Sequence, residues 1–524
     1  MVKIRIPMMV DDGRFAPLGR PEAIERVDLE EAWFADGPST DRVAVVDLDI
    51  MTNTLYPPAR YIPPPRQRVL GRFDIPAPFD ASSRVFNQVS AFATVMKTVK
   101  LYEEADTLGR RVRWAFPAEQ LIVLPRAGWG ENAVYTRERG RLEFYYFRSR
   151  REPGAVVYTG LARDIVAHET AHAILDGIAP HLWHAITPQS LALHEAIADL
   201  TALLVSVRSQ KLRSEVLRRN GGSIEHSSQF SAVGEEFGAA RGTGALRDLK
   251  NDLRMGQVPR ADIYRLGEVL SGALYSVLVR MHDQRMRLRA AAKGCTLYSA
   301  SGYALWTAAE HLKRMALRAL DYLPPGEVSF ADYGRAVLAA DRASHPDDPQ
   351  EREWIMDEFA RREIVDARAA LLPDGDLAEA TAALATVDHR ALAVDDQAAA
   401  SFCASDSARR ALGIPEGVDL TVEPRLVVAK DYYHRSPDGI VWNVTVREGL
   451  LKVWWTQWED NPPLPKLPSR RQIVAGTTLS WDWETGKARV LLTSDRTRRP
   501  EEWREQRADR DLFAAQGGLS RPMS

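Results

Sequence analysis

Two histidines flank a glutamate, four residues apart, in the mostly apolar stretch "DIVAHETAHAILDG" at residues 164–177. On an α-helix such residues lie on one face, so His168 and His172 can offer ring nitrogens to a single cation. A catalytic zinc usually has a third protein ligand and an open position. Glu195, in "LALHEAIADL" on a second predicted helix, can supply that ligand. The pattern therefore requires two helices that pack together around a polar centre.

Two further acidic residues have the spacing of acceptors for the ligand side chains. Zinc-bound histidines generally donate their other ring N–H to a carboxylate or carbonyl. Asp199, one turn after Glu195, is predicted to accept from His168, and Asp176, one turn after His172, is the other candidate. The alternative is a buried amphipathic helix with His168 and His172 as core residues. Two imidazoles and a carboxylate on an apolar helix cost free energy without partners, which favours the metal site.

Composition limits the classes of function. The 524 residues carry a formal net charge of −2, which argues against a general nucleic-acid or acidic-membrane partner. Only two cysteines occur, Cys295 and Cys403, so neither a disulfide framework nor a cysteine-based zinc ribbon is expected. No run approaches 18 apolar residues, and the N-terminal stretch lacks the apolar segment of a secretion signal. We expect a cytoplasmic protein without transmembrane helices.

Changes in periodicity along the chain predict five segments. They are a proline-rich N-terminal arm with short strands (1–80), an α+β lobe with both ligand helices (81–209), a helical lobe (210–366), an alanine-rich linker (367–410) and a β-rich C-terminal module (411–524). The tryptophans of the last segment can fill the core of a small β domain or stack against a ligand.

Together, "HETAHAILDG" and "HEAIADLTALL" resemble the gluzincin metallopeptidases, and the thermolysin family in particular. "GWGENAVYTRERGRLEFYYF" is similar to that family's substrate-binding edge strand, and "LGEVLSGALYSVLV" to the helix lining the S1′ side. "SFADYGRAVLAADR" and "EREWIMDEFARREI" resemble its closing helices, so the similarity covers roughly residues 80–365. It implies an α+β fold of two lobes: a β-containing upper lobe with the H-E-x-x-H helix and a helical lower lobe, separated by a cleft.

The resemblance also implies roles for individual residues. His168, His172 and Glu195 would hold one zinc ion per chain, and Glu169 would be the general base. Asn132 and the backbone of Ala133 would hold a peptide as an added strand. These roles predict a zinc-dependent, endopeptidase-like metalloprotease, a hydrolase whose substrate is a protein or peptide.

Two positions depart from the family pattern. Glu268 stands where the family has the histidine that hydrogen-bonds the developing oxyanion. Tyr264 and Arg265, one turn earlier, are candidate replacements, with Tyr275 and His282 as further alternatives. At the family's calcium site, one acidic ligand is replaced by serine, so calcium is not expected.

Two other functions are consistent with these departures. One is a catalytically degenerate zinc-binding scaffold or interaction protein, since Glu268 cannot donate a hydrogen bond while ionised. The other is a gluzincin hydrolase that acts on one specific partner. In either case the C-terminal module is a candidate for recruiting a partner or substrate, and neither nucleic acid nor a membrane is expected to bind.

Overall fold

A computed structural model describes residues 1–11, 21–66, 69–76, 80, 82–150, 152, 154–234, 238, 245–372, 375–422, 426–436, 441–461 and 469–516. The described chain contains both helices and strands, with a β-sheet in its C-terminal part, which confirms the predicted α+β class.

The first 76 residues contain short strands that join the main hydrophobic core. Ile4, Ile6 and Met8, on the first strand, are buried in the same core as the first long helix. The strands are β1 (Val2–Met9), β2 (Ile24–Glu31), β3 (Val43–Val45), β4 (Leu48–Asp49), β5 (Thr54–Leu55), β6 (Tyr61–Ile62) and β7 (Arg72–Phe73). β1 and β2 pair antiparallel. The segment predicted as an arm therefore contributes apolar side chains to the core.

One sheet of the N-terminal half contributes an edge strand to the site described below. Its strands are β3, β8 (Leu121–Leu124), β9 (Ala133–Thr136) and β10 (Arg141–Phe144), in the order β3-β8-β10-β9. β9 pairs antiparallel with β10 and lies at the edge of the sheet. β11 (Tyr146–Arg148) and β12 (Val156–Tyr158) form a separate antiparallel pair.

Long helices make up most of the remaining core. They are α1 (Arg84–Glu103), α2 (Arg163–Ile178), α3 (Pro188–Arg208), α4 (Gln210–Arg219), α5 (Ile263–Lys293), α6 (Leu297–Tyr322), α7 (Phe330–Ser344) and α8 (Gln350–Arg361). α3 packs between α2 and α5. Strands β13 (Ala232–Val233) and β14 (Arg247–Asp248) form a short antiparallel pair beside them.

Within the described residues, α3 is the one helix long and apolar enough to cross a membrane. Its apolar window is wholly buried between neighbouring helices. α3 also carries two acidic residues, Glu195 and Asp199, in its interior. These features are those of the core helix of a folded domain, in agreement with the expectation that no helix spans a membrane.

The C-terminal sheet packs between the helical core and a layer of short helices. Its strands are β15 (Thr421–Val422), β16 (Leu426–Arg435), β17 (Val441–Asp460), β18 (Arg470–Asp482) and β19 (Ala488–Thr493). They are followed by α12 (Pro500–Ala515), and the short helices are α9 (Leu377–Leu384), α10 (Asp396–Ala404) and α11 (Asp406–Leu412). α9, α10 and most of α11 lie in the segment predicted as a linker, and these helices bury apolar side chains against one face of the sheet.

Successive residues of a strand face opposite sides, so β17 contacts both layers. Leu451, Val453 and Trp455 belong to the core shared with the short helices, whereas Leu450 belongs to the main core. Trp455 and Trp481 are fully buried, and Trp442 and Trp458 are exposed. Some of the C-terminal tryptophans thus fill a core, and others remain on the surface.

Candidate metal centre

α2 and α3 bring three potential metal ligands to one point. Nε2 of His168 lies 3.1 Å from Nε2 of His172. Oxygens of Glu195 lie 3.6 Å from Nε2 of His168 and 3.7 Å from Nε2 of His172. One ligand atom from each residue falls within a group no wider than 4.8 Å, and all three side chains are buried. The i, i+4 spacing on α2 sets the first distance, and the packing of α3 against α2 sets the other two.

Asp199 lies where it can orient His168. Its Oδ1 is 3.0 Å from Nδ1 of His168, on the ring edge away from the ligand group. A hydrogen bond from Nδ1–H to Asp199 orients the ring with Nε2 toward the ligand group, and loss of the Nε2 proton then gives the form that binds a metal ion.

His172 has a different neighbour from the one expected. Its Nδ1 lies 3.4 Å from Nδ1 of His194, which can accept the ring proton. Asp176 instead accepts a hydrogen bond of 2.8 Å from the hydroxyl of Tyr135 and pairs with Arg137 at 3.4 Å. The spacing places Asp176 one turn beyond His172, but β9 packs against α2, and Tyr135 on β9 and Arg137 just after it are the partners of Asp176.

Glu169 is buried beside the ligand group and accepts a hydrogen bond of 3.0 Å from the backbone N–H of Tyr135 on β9. Burial raises its pKa to about 7, and the negative charge of Glu195 also raises it. The interaction with β9 holds the carboxylate at the side of the cleft where the edge strand runs.

The charged groups of the centre affect one another. Burial disfavours charge on His168, but hydrogen bonds to Asp199 and Glu195 outweigh it and raise its pKa to about 9. Burial also opposes ionisation of Glu195, yet His168, His172 and Arg247 lower its pKa well below the usual value. Burial holds the pKa of His172 well below its usual value. Glu195 is therefore ionised and His172 is neutral, and both are the forms that ligate metals.

Arg247 on β14 is a participant that the sequence analysis missed. Its guanidinium lies 2.9 Å from Oδ1 of Asp199, 3.6 Å from Oε2 of Glu195 and 3.3 Å from Nε2 of His168. No motif surrounds it in "GALRDLKN". The only signal in the sequence is the balance of charge. The negative charge of the carboxylates predicted at this buried point exceeds the positive charge of a single zinc ion, so another cation is expected there.

A cleft of about 580 Å³ opens onto the centre. Its walls include Asn132 and Ala133 at the start of β9, and Asp262, Tyr264, Arg265 and Glu268 at the start of α5. The structure thus brings the predicted substrate-binding and oxyanion candidates to the same cleft as the ligands. Glu268 is buried and pairs with Arg265.

The two further oxyanion alternatives lie elsewhere. The hydroxyl of Tyr275 donates to the backbone oxygen of Ile224 at 2.8 Å, and His282 lies 3.1 Å from the hydroxyl of Ser301. Neither residue lines the cleft.

A second buried group, His311, Asp341 and His345, also has the composition of a metal site. Both rings bond to Oδ1 of Asp341, at 2.9 and 3.0 Å. A guanidinium nitrogen of Arg285 lies 2.6 Å from Nδ1 of His311. An arginine can only donate, so Nδ1 accepts and Nε2 carries the proton that bonds to Asp341. These bonds occupy both ring nitrogens of His311 and Nδ1 of His345 without a metal ion.

Neither a scan against protein-family models nor a search of the curated proteins finds a match to this chain.

Proposed function

We propose that this protein is a zinc-dependent metallopeptidase of the thermolysin-like gluzincin type, with a two-lobed catalytic domain around the cleft. The observation that carries the proposal is the convergence of His168, His172 and Glu195 within 4.8 Å, on a cleft that also holds a buried Glu169. The test is metal analysis together with a proteome-wide cleavage assay that compares the wild type with Glu169→Gln.

The donor set fits zinc. Two imidazoles and one carboxylate are borderline and hard ligands of the kinds found in catalytic zinc sites, which leave one position open. Each imidazole has a partner for its second nitrogen, Asp199 for His168 and His194 for His172. When bound, zinc would polarise the scissile carbonyl and lower the pKa of water.

The protein's own groups have separable tasks in peptide hydrolysis. Glu169 accepts a proton from the attacking water and returns it to the leaving amine. Asn132 and the backbone of Ala133, at the outer edge of the sheet, align an extended peptide as an added strand. Arg247 balances the buried charge of Asp199 and Glu195.

Tyr264 is the proposed donor to the developing oxyanion, because Arg265 pairs with Glu268. Tyr264→Phe is expected to lower kcat/KM by about 10²–10³-fold, the usual effect of losing one such donor. Tyr298→Phe, on the exposed surface of α6, is the matched control. An unchanged rate in Tyr264→Phe would rule out this role.

Asp199→Asn tests the orientation of His168. The amide keeps the shape of the carboxylate but removes the charge that favours the Nδ1–H form of the ring. Zinc affinity, measured by competition with a chelator, is expected to fall by about 10–100-fold. Asp248→Asn, on the same strand as Arg247 and outside the ligand group, should leave the affinity within about twofold of the wild type.

A second candidate function is a zinc-binding scaffold without turnover. It is favoured by Glu268, which lies in the cleft and, as a carboxylate, accepts hydrogen bonds instead of donating them. The cleavage assay separates the two functions, because a scaffold binds zinc and gives the same cleavage profile as Glu169→Gln.

The proposal also covers the cellular compartment and the role of the C-terminal sheet. A reducing compartment such as the cytoplasm suits two free cysteines. The C-terminal sheet, with Trp442 and Trp458 exposed, is the proposed surface for recruiting a protein substrate.

A further inference from the structure

A second, smaller cavity lies between the end of α2 and the C-terminal sheet. It has a volume of about 90 Å³. Its walls include Pro180 and His181, which follow α2, Pro324 and Pro325, which follow α6, and Lys452 and Trp454 of β17. None of these residues belongs to the cleft at the metal centre.

The cavity is built from fixed backbone. Gly326 has φ +108° and approaches the backbone oxygen of Val474 so closely that a Cβ would lie 2.4 Å from it. Thr478, the cross-strand neighbour of Lys452, donates a hydrogen bond of 3.0 Å to the backbone oxygen of Leu323. These contacts hold the loop after α6 against the sheet and keep Lys452 beside it.

Lys452 is the unusual member of this cavity. Only 6% of it is exposed, yet among the described residues no carboxylate or hydrogen-bond acceptor contacts its ammonium group. Burial lowers its pKa to about 8. A buried charge without a partner is costly, which points to a group that is bound there when the protein functions.

The layer of buried charged residues around Lys452 has an excess of positive charge. Asp321 already binds two cations, Arg110 at 2.6 Å and Lys430 at 2.8 Å. Glu448 accepts hydrogen bonds from Tyr322 at 3.0 and 3.1 Å and lies 3.5 Å from Arg318. In the described part of this layer, the two carboxylates Asp321 and Glu448 face four cations, Arg110, Arg318, Lys430 and Lys452. Among the described residues no carboxylate forms an ion pair with Lys452, although the charge of Asp321 favours its ammonium form.

The other walls define what kind of anion fits. His181 packs edge-on against Trp454, with ring centroids 5.1 Å apart. Burial, with the charge of Lys452, lowers the pKa of His181 to about 4, so its ring is neutral and has an N–H to donate. The remaining surface is mostly apolar, from prolines, leucines and Trp454. A cavity of this size is smaller than the roughly 150 Å³ that accommodates benzene.

From these features we propose that the cavity binds a small carboxylate with a short apolar tail, of the size of acetate or propionate. The carboxylate pairs with the ammonium of Lys452 and accepts the N–H of His181, and the tail contacts the prolines and Trp454. A phosphate dianion suits the cavity less well, because one ammonium and one imidazole leave most of its oxygens without donors.

The test is a calorimetric titration of the full chain with sodium propionate at pH 7, where Lys452 is mostly protonated, with ligand-observed NMR as a second readout. The wild type is expected to bind propionate, and Lys452→Met is expected to bind it about tenfold more weakly or worse. Lys487→Met, an exposed lysine in the turn after β18, is the matched control and should bind like the wild type.

Propionamide and inorganic phosphate complete the design and need no variant that must fold. Propionamide has the shape of propionate without its charge and is expected not to compete with it. The assignment fails if the wild type binds no propionate, if propionamide competes equally, if phosphate binds more tightly, or if folded Lys452→Met binds like the wild type. Because zinc content and peptide cleavage are not read out, failure here is distinct from failure of the proposed peptidase function.

Discussion

Glu169→Gln is expected to lower kcat for peptide hydrolysis by about 10²–10⁴-fold and to leave zinc content unchanged. The amide is nearly isosteric with the carboxylate, and its oxygen can keep the hydrogen bond from the N–H of Tyr135. It cannot take a proton from water, because an amide is not basic near neutral pH. The variant therefore removes one chemical step and preserves the buried surroundings of α2.

The measurement needs three readings on each protein: zinc per chain, thermal stability and the rate of peptide cleavage. Glu138→Gln carries the same chemical change at an exposed position next to β9 and should cleave at the wild-type rate. Equal rates in the wild type and Glu169→Gln would contradict the role of Glu169. Bound zinc without cleavage in either protein would favour the scaffold.

His172→Ala is expected to reduce bound zinc from about one ion per chain to background, because two protein ligands do not make a catalytic zinc site. His345→Ala removes a buried histidine from the second His–Asp group and is the matched control. It should retain zinc, since the bond from Arg285 assigns the Nε2 proton of His311 to Asp341. The opposite result, with zinc lost in His345→Ala and kept in His172→Ala, would show that the zinc binds at the second group instead.

Chelation gives an independent measure of the same site. A ligand that binds only the folded state at 1,000 times its Kd stabilises that state by about 4 kcal/mol. A strong chelator is therefore expected to lower the Tm of the wild type and of His345→Ala. The same treatment should leave the Tm of His172→Ala unchanged, because that variant has no zinc to lose.

Some of the site could be predicted because helical spacing is a local property. Four residues make about one turn, so His168 with His172, and Glu195 with Asp199, must share helix faces wherever the helices lie. The sequence also predicted α+β content, since periods of 3.6 and 2 residues are set by neighbours along the chain. The partner of Asp176 could not be predicted in this way. Asp176 accepts a hydrogen bond from Tyr135, which lies on a strand about 40 residues away in sequence, and not from a ligand histidine.

The sequence by itself therefore determined which residues are candidates for ligands, base and orienting acceptor, because their chemistry and short spacing lie within two helices. Only the tertiary structure decided which groups meet across the chain. It brought Arg247 to Asp199 and Glu195, packed the helices between residues 377 and 412 on the C-terminal sheet, and buried Lys452 where no described carboxylate pairs with it. Such contacts depend on how elements pack, and no local period records them.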